Sequence, residues 1–405
     1  MNTAMIIEAL IKIAILIAGL ATGAAYLVLL ERRMAAWIQD RIGPNRVGIP
    51  LTRIRVWGLG QPPADGLKIF FKQDFTPAGV DRVVFTLAPI IILIAAFVAF
   101  AVVPFGSVVP LNASDGTRPV QLVVAAHVNV GIVFVLAASG IAIYGVLLGG
   151  WSSNNKYSFL GGLRASAQLL AYELPMGLAV LGVVTAAGSL DLETIIQQQG
   201  ANVWYALAQP LGFLIFVVAA LAEAARLPFD LPECEQELVG GYHTEYSGMR
   251  LLMFLLTEFL HLITASLLIV VLFLGGWHLP WLTGYTDQVG WFGALLRIVV
   301  LVVKVLLVVL FFMLVRWTWP RFRYDQLMAL AWKVLLPLGM VNFTAIAILD
   351  QIQVVWKLES TAWTMLFALI AWAVCIIALL AVGLLAPRIT DNRPLRPAAD
   401  ADMVG

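Results

Sequence analysis

Nine apolar runs, each long enough to cross a lipid bilayer, dominate this sequence. A membrane-spanning helix needs about 20 mostly apolar residues, and this chain of 405 residues is 61% hydrophobic and only 12% charged. Such a composition is not that of an ordinary soluble domain, and it indicates a bundle of membrane helices. The runs lie near 6–30, 84–103, 121–149, 165–186, 205–222, 251–275, 295–315, 331–349 and 361–386. We therefore predict an all-α polytopic membrane protein.

The placement of lysine and arginine predicts how the chain is oriented. Most of the 25 basic residues follow the odd-numbered runs, in the loops 31–82, 150–164, 223–250 and 316–333 and in the tail after the last run. Basic loops favour the cytoplasmic side of a membrane. We therefore expect the N-terminus outside, and these loops and the C-terminal tail inside.

The segment 222–248 concentrates acidic residues between two apolar runs. A carboxylate at the centre of a membrane helix costs about 2.5–3.5 kcal/mol on insertion scales, so acids in this setting indicate a proton or ligand pathway. The acidic residues of this segment and of the start of the next run are Glu223, Asp230, Glu233, Glu235, Glu237, Glu245 and Glu258.

The rise of an α-helix converts sequence position into depth. Counted from the nearest basic residue at the inner face, Glu223 lies about 5 Å deep, Glu258 about 12 Å, Glu173 about 14 Å and Lys304 about 18 Å. The carboxylates would form a ladder from the inner surface to the midplane, and the outer half of the runs holds no acid that continues it. A proton that enters this ladder would leave sideways into a neighbouring protein, so we predict a subunit rather than an autonomous channel.

Each candidate also has a purely structural interpretation. Glu258 and His261 stand at i, i+3 and could form a satisfied polar pair. Glu173 could hydrogen-bond a backbone group near the helix irregularity that a following proline causes. Glu223 could pair with Arg226, and the acids of the loop could be solvated surface.

The cysteine and histidine content argues against a redox or metal centre in this chain. Two cysteines, Cys234 and Cys375, are too few for an iron–sulfur cluster, and the four histidines show no metal-ligand spacing. No glycine-rich nucleotide loop is present. We expect neither a resident metal nor a nucleic-acid partner.

The predicted inner loops carry long motifs that together resemble one known family. The motifs are ERR (31–33), DRIGPNRVG (40–48), QPPADGLK (61–68), SSNNKY (152–157), LRASAQLLAYE (163–173), RLPFDLPE (226–233), ELVGGYHTEYSG (237–248) and PRFRYDQLM (320–328). In this order they resemble the H-type membrane subunit of bacterial proton-pumping NADH:quinone oxidoreductase, respiratory complex I. Its mitochondrial counterpart is NADH dehydrogenase subunit 1. The resemblance covers about residues 1–345.

The resemblance implies a chamber for quinone at the inner side of the membrane. Its lining would include the inner end of the first run, the loop that follows it, and the PFD segment. The stretch DGLKIFFK (65–72) is amphipathic and could lie at the mouth of the chamber or serve as a plain interfacial anchor. The residues that we predict to contact quinone are Glu31, Arg32, Asp65, Lys68, Arg226, Phe229 and Asp230.

The ladder and the resemblance together predict a proton pathway, in which the family also places a lysine at the position of Lys304. The predicted pathway residues are Glu173, Glu223, Glu233, Glu235, Glu237, Glu258 and Lys304.

The resemblance further implies partners and a location. The chain would be one subunit of a translocase in the bacterial plasma (inner) membrane, with quinone as substrate and no redox centre of its own. FMN and iron–sulfur clusters would belong to partner subunits. We expect the segments GPNRVG, SSNNKY and PRFRYDQLM to dock a peripheral arm, with other membrane subunits and lipid as further neighbours.

Two departures from the family pattern stand out. Ala224 and Ala225 replace a pair that is usually polar, and the run 361–386 follows the eight spans that the family usually has. We therefore predict a membrane domain of the H type at 1–349, an additional helix within 350–386 and a flexible cytoplasmic tail at 387–405. Two other functions remain open at this point: the homologous subunit of a membrane-bound hydrogenase, and a free-standing ion transporter.

Overall fold

Helices make up most of the chain, as its apolar runs predict. The computed structural model describes residues 3–48, 57–108, 120–125, 128–231, 238–280, 282–283, 289–356 and 361–385. The helices are α1 (Thr3–Ile38), α2 (Gln61–Phe70), α3 (Arg82–Val98), α4 (Gly131–Ser152), α5 (Lys156–Ala187), α6 (Leu192–Ala201), α7 (Tyr205–Ala208), α8 (Pro210–Glu223), α9 (Gly248–Phe273), α10 (Trp291–Thr318), α11 (Tyr324–Ala329), α12 (Leu336–Trp356) and α13 (Thr361–Leu385).

Short irregular elements complete the described part of the chain. A 3-10 turn at Ala99–Val102 extends α3, another lies at Gly241–His243, and a π-helical turn at Leu330–Leu335 joins α11 to α12. Strands β1 (Ser107–Val108) and β2 (Val120–Gln121) form a small antiparallel ladder between α3 and α4.

Eight helical stretches of the described part are long and apolar enough to cross a membrane. They are α1, α3 with its 3-10 turn, α4, α5, α9, α10, the continuous stretch from α11 to α12, and α13. The predicted all-α polytopic fold is therefore confirmed, including a long helix after the family-type spans. The predicted orientation of the chain stays a prediction.

The fifth apolar run forms a shorter helix than its sequence predicts. It is divided between the single turn α7 and the 14-residue α8, which is about 21 Å long against a hydrocarbon core of about 30 Å. Pro210 is the cause, because proline lacks the N–H that would continue α7 and instead begins a new helix well. Gln209 lies at the break and is fully buried, and its Nε2 donates to Gly182 O at 3.2 Å.

Three helices continue further than their apolar runs. Helix α1 extends to Ile38, which places Glu31 on the helix itself, and α5 runs through Pro175 to Ala187. Helix α12 likewise ends only at Trp356, and α13 begins at Thr361.

Helices α5 and α9 organise the bundle. Helix α5 packs against α4, α8 and α12, whereas α9 packs against α3, α10, α1 and α8. Helices α3 and α4 approach closely at Gly145, where a Cβ atom would lie 2.8 Å from Ile92 Cβ and 3.0 Å from Ala88 O. Helix α8 and the 3-10 turn Gly241–His243 before α9 both pack against α5, which brings the segment with the acidic residues beside this helix.

Candidate functional site

A buried arginine joins three distant parts of the chain. Arg226 Nη1 lies 3.2 Å from Glu31 Oε2 on α1, and Arg226 Nε lies 3.0 Å from Glu258 Oε1 on α9. The three side chains are only 7%, 11% and 13% exposed. Arg316, near the end of α10, forms a second ion pair with Glu31. Two guanidinium groups and two carboxylates thus balance their charges in a place that is nearly free of solvent.

The local backbone explains how Arg226 reaches these partners. Helix α8 ends at Glu223, and Ala225 takes a left-handed conformation with φ of 48°. Such a φ is uncommon for a residue other than glycine, and it turns the chain sharply. The guanidinium then lies over the ring of Phe259 at 4.3 Å. The ion pairs of Arg226 go to Glu31 and Glu258 instead of to its sequence neighbour Glu223.

A cavity lined by both apolar and ionisable residues adjoins this cluster inside the bundle. Its volume is about 60 Å³, and Glu173, Glu223 and Glu258 all line it. Helices α4, α5, α8 and α9 each contribute to its walls, as does Tyr242 of the loop before α9. The structure therefore brings together three of the predicted pathway carboxylates, from three separate helices. His261 lines the same cavity one turn beyond Glu258.

Small residues of α4 lie beside these acids. Ser139 lines the same cavity and its hydroxyl donates to Leu136 O at 2.9 Å, and a Cβ atom on Gly140 would lie 3.3 Å from Glu173 Oε1. Glycine at this position thus leaves room for the carboxylate. Glu173 also lines a wide apolar groove on the outside of α4, α5 and α12. It therefore stands between the cavity and the lateral surface of the bundle.

The predicted residues of the first inner loop lie on and against a short surface helix. Arg32 Nη1 contacts Asp65 Oδ2 at 2.9 Å, and Gln61 Nε2 donates to Asp65 Oδ1 at 2.8 Å. In α2 the proline pair occupies the first turn, where proline is tolerated. Leu67 and Phe70 are exposed. An amphipathic helix with an unburied apolar face is typical of the membrane–water interface.

The remaining predicted quinone residues differ in accessibility. Lys68 is exposed on α2. Phe229 is only 2% exposed and stacks against Phe322 with ring centroids 5.5 Å apart. Asp230 lies 3.3 Å from Arg321, so the PFD segment is tied to the loop before α11. Phe229 is therefore part of the hydrophobic core and is not exposed on a surface that could line a chamber.

Lys304 is remote from the acidic cavity. Its Nζ donates to the carbonyl oxygens of Leu274, Gly276 and His278 at 2.6, 3.0 and 2.6 Å. These carbonyls belong to residues just after the C-terminal end of α9, whereas the acidic cavity lies nearer its N-terminal end. The ammonium also lies 4.6 Å from the centre of the Trp204 ring. The charge therefore neutralises the carbonyl end of a helix.

The described part of the loop before α9 holds two groups that stay neutral near neutral pH. Burial lowers the pKa of His243 to about 4 and raises the pKa of Tyr246 to about 12. These two side chains therefore carry no charge change between pH 5 and 8.

Three predicted pathway residues, Glu233, Glu235 and Glu237, lie outside the described residues. Conversely, the sequence reasoning missed Arg316 and Gln168. In the sequence Arg316 is one more basic residue of a loop, and Gln168 is visible only as part of a family motif. Within the described ranges, no group of three or more His, Cys, Asp or Glu side chains could hold a metal ion.

Fold and site together define a polytopic membrane protein with ionisable groups buried between its helices. The family described as NADH dehydrogenase matches residues 11–347. The chain is 49% identical over 333 residues to the first of the H-type NADH-quinone oxidoreductase subunits of Geobacter metallireducens, covering 82% of this chain and 93% of that protein. The chain therefore belongs to the family of H-type NADH-quinone oxidoreductase subunits, and it is one subunit of an enzyme complex.

Other relatives agree with this assignment. The second H-type subunit of Geobacter sulfurreducens is 48% identical over 331 residues, which are 82% of this chain and 93% of that protein. The H-type subunit of Syntrophotalea carbinolica is 47% identical over 338 residues, or 83% of this chain and 94% of that protein. Helix α13 lies beyond the residues that the family matches.

Proposed function

We propose that this chain forms much of the quinone chamber of a proton-translocating NADH:quinone oxidoreductase and couples quinone reduction to proton movement. Quinone is the substrate, and the redox centres belong to partner subunits. The proposal is supported by the names of the relatives, which are NADH-quinone oxidoreductase subunits. These names also favour a quinone-reducing enzyme over the two alternatives, a hydrogenase subunit and a free-standing transporter.

One observation carries the proposal: Arg226 connects the predicted chamber to the acidic cavity. It belongs to the same segment as Asp230, it pairs with Glu31 at the predicted chamber, and it pairs with Glu258 in the cavity wall. A change of charge in the chamber would alter how strongly Arg226 holds each carboxylate. Because the three side chains are nearly buried, such a change would be poorly screened.

Protons would then move among Glu258, Glu223 and Glu173. All three line one cavity, and a carboxyl in a water-poor site changes its proton affinity readily with nearby charge. Glu173 also faces the lateral groove, so a proton would leave towards a neighbouring membrane subunit. Lys304 would act as a fixed structural charge and not as a carrier, since its ammonium donates to three backbone carbonyls.

The inner loops would dock the peripheral arm in a bacterial inner membrane. Arg323 of the PRFRYDQLM segment is largely exposed, as are Arg46 of the GPNRVG segment and Arg41 just before it. The SSNNKY segment also has a structural role, because Asn155 caps α5 and donates to Glu245 Oε1 at 2.5 Å. Docking and loop structure can therefore share these motifs.

Glu223→Gln tests the proposal directly. The amide keeps the size of the carboxyl but cannot take up or release a proton, and a positioned proton-transfer group contributes about 100-fold or more to the step it serves. We expect the quinone-site-inhibitor-sensitive NADH:quinone reductase activity of the purified complex to fall by roughly tenfold or more. NADH oxidation with an artificial acceptor such as ferricyanide, which does not require the membrane chamber, should stay normal and report intact assembly.

Glu193→Gln is the matched control, because Glu193 stands in the first turn of α6 and is not among the residues of the acidic cavity. It should leave both activities unchanged. Normal quinone reduction and normal proton pumping in Glu223→Gln would refute the proposed coupling.

A further inference from the structure

A buried glutamine links the PFD segment to the acidic cavity. Gln168 on α5 is fully buried, and its Nε2 donates to Ala222 O and to Phe229 O, each at 2.9 Å. The first carbonyl lies one residue before Glu223, and the second one residue before Asp230. One side chain therefore clamps the end of α8 to the segment that carries Arg226.

The same contacts determine which way the amide points. An amide has two N–H donors on nitrogen and only acceptors on oxygen. A flipped amide would set its oxygen against two carbonyl oxygens and lose both hydrogen bonds. The oxygen must therefore face the other way.

Gln168 lines the acidic cavity, together with Glu173, Glu223 and Glu258, and its Oε1 is buried without a protein hydrogen-bond partner. Buried acceptors are normally paired, so the unpaired oxygen of a residue that lines this cavity points to a partner within it. A volume of about 60 Å³ has room for water molecules there.

We propose that Gln168 is a positioning residue whose Oε1 favours the protonated state of the cavity carboxyls and whose Nε2 makes this effect depend on the 222–230 segment. A deprotonated carboxylate has no hydrogen to donate to Oε1, whereas a protonated carboxyl donates directly or through one water. Movement of the segment would turn the amide and withdraw the acceptor. This inference rests on the proposed proton function of the same cavity.

The titratable and charged groups that line the cavity with Gln168, or pair with its lining, come from several elements. They are Glu173 on α5, Glu223 at the end of α8, Tyr242 of the following loop, and Glu258 and His261 on α9, with Arg226 paired to Glu258. Helices α3 and α4 contribute apolar, glycine and serine residues to the lining. The carboxyls are thus the groups whose proton exchange the acceptor can bias.

Two substitutions should move the pH–activity profile in opposite directions. Gln168→Met keeps the volume and removes the acceptor, so the acid limb of inhibitor-sensitive quinone reduction should move to lower pH by about half a unit or more, the scale of one hydrogen bond. Gln168→Glu adds an acid beside the other carboxyls and should move the same limb to higher pH. Ferricyanide reduction reports whether each variant assembles. If the methionine variant does not assemble, the pH profile of Gln168→Glu is measured instead.

Gln209→Met is the matched control. Gln209 is also fully buried and also donates to a backbone carbonyl, but it is not among the cavity residues. A purely structural role for Gln168 predicts that both methionine variants lower activity equally at every pH. Unshifted profiles in both Gln168 variants would overturn the inference. If Glu223→Gln still abolishes coupling, the inference alone fails; if that variant is also normal, the proposed function fails.

Discussion

Replacement of Arg226 by lysine tests whether one guanidinium holds the two halves of the site together. Arg226 uses two different nitrogens, with Nη1 3.2 Å from Glu31 and Nε 3.0 Å from Glu258. A lysine ammonium is a single point charge and cannot occupy both positions. Arg226→Lys keeps the net charge and should therefore lose one of the two ion pairs.

The contacts in the structure give the scale of the free-energy cost of losing this ion pair. Breaking a buried ion pair by removing one partner costs about 3–5 kcal/mol, because the other charge is left without compensation. Glu31 keeps Arg316, so the full cost arises only if the lysine loses the pair with Glu258. Loss of the guanidinium above the Phe259 ring adds about 0.5–2 kcal/mol. The sum is an upper limit, since an unpaired carboxyl can take up a proton.

Two assays are made on the purified complex: thermal denaturation and inhibitor-sensitive quinone reduction. Arg226→Lys should lower both the apparent melting temperature and quinone reduction, and adding Glu258→Gln should restore part of the lost stability, because the amide needs no cation. Arg323→Lys is the control, since its pair with Asp325 is exposed and surface pairs contribute about 0–1 kcal/mol. A lysine variant as stable and as active as the wild type would refute the bridging role of Arg226.

Three further substitutions follow from single contacts. Gly140→Ala should reduce proton pumping, because the new Cβ would lie 3.3 Å from Glu173 Oε1; pumping is measured in proteoliposomes. Lys304→Met should lower thermal stability without shifting the pH–activity profile, because it leaves three carbonyls without their donor. Trp372→Phe should destabilise the complex by about 1 kcal/mol, since it removes the 3.0 Å hydrogen bond from α13 to Leu207 O beside the α7–α8 break.

Two of these substitutions have a control within the chain. Gly177→Ala places a methyl group where no atom lies within 4 Å, so it should leave pumping unchanged. Trp356→Phe alters an exposed side chain and should leave stability unchanged. A shifted pH profile in Lys304→Met would instead return Lys304 to the proton route.

The sequence predicts the helices well because their apolar runs are long, and Glu173, Glu223 and Glu258, which it groups in one ladder, do line one cavity. It does not predict the partners of Arg226. The spacing of Glu223 and Arg226 favours a local pair, whereas the left-handed turn at Ala225 directs the guanidinium to Glu31, 195 residues away along the chain. Pairing over such distances depends on how helices pack, which helical periodicity alone does not encode.

Depth along a helix is also an incomplete guide to function. The rise per residue places Lys304 near the midplane, where an unpaired cation would be costly and a carrier role attractive. The loop after α9 instead turns back, and its carbonyls reach the ammonium. By contrast, Glu173, Glu223 and Glu258 converge as the ladder predicts, because their helices meet at one end of the bundle.

The most direct test of the account is to purify the tagged chain in mild detergent, reconstitute it with everything that co-purifies, and measure proton uptake during NADH oxidation by quinone. We predict a multi-subunit assembly whose quinone-site-inhibitor-sensitive activity acidifies the vesicle lumen. A chain that purifies without redox partners from intact membranes, or an assembly that reduces quinone without moving protons, would contradict it.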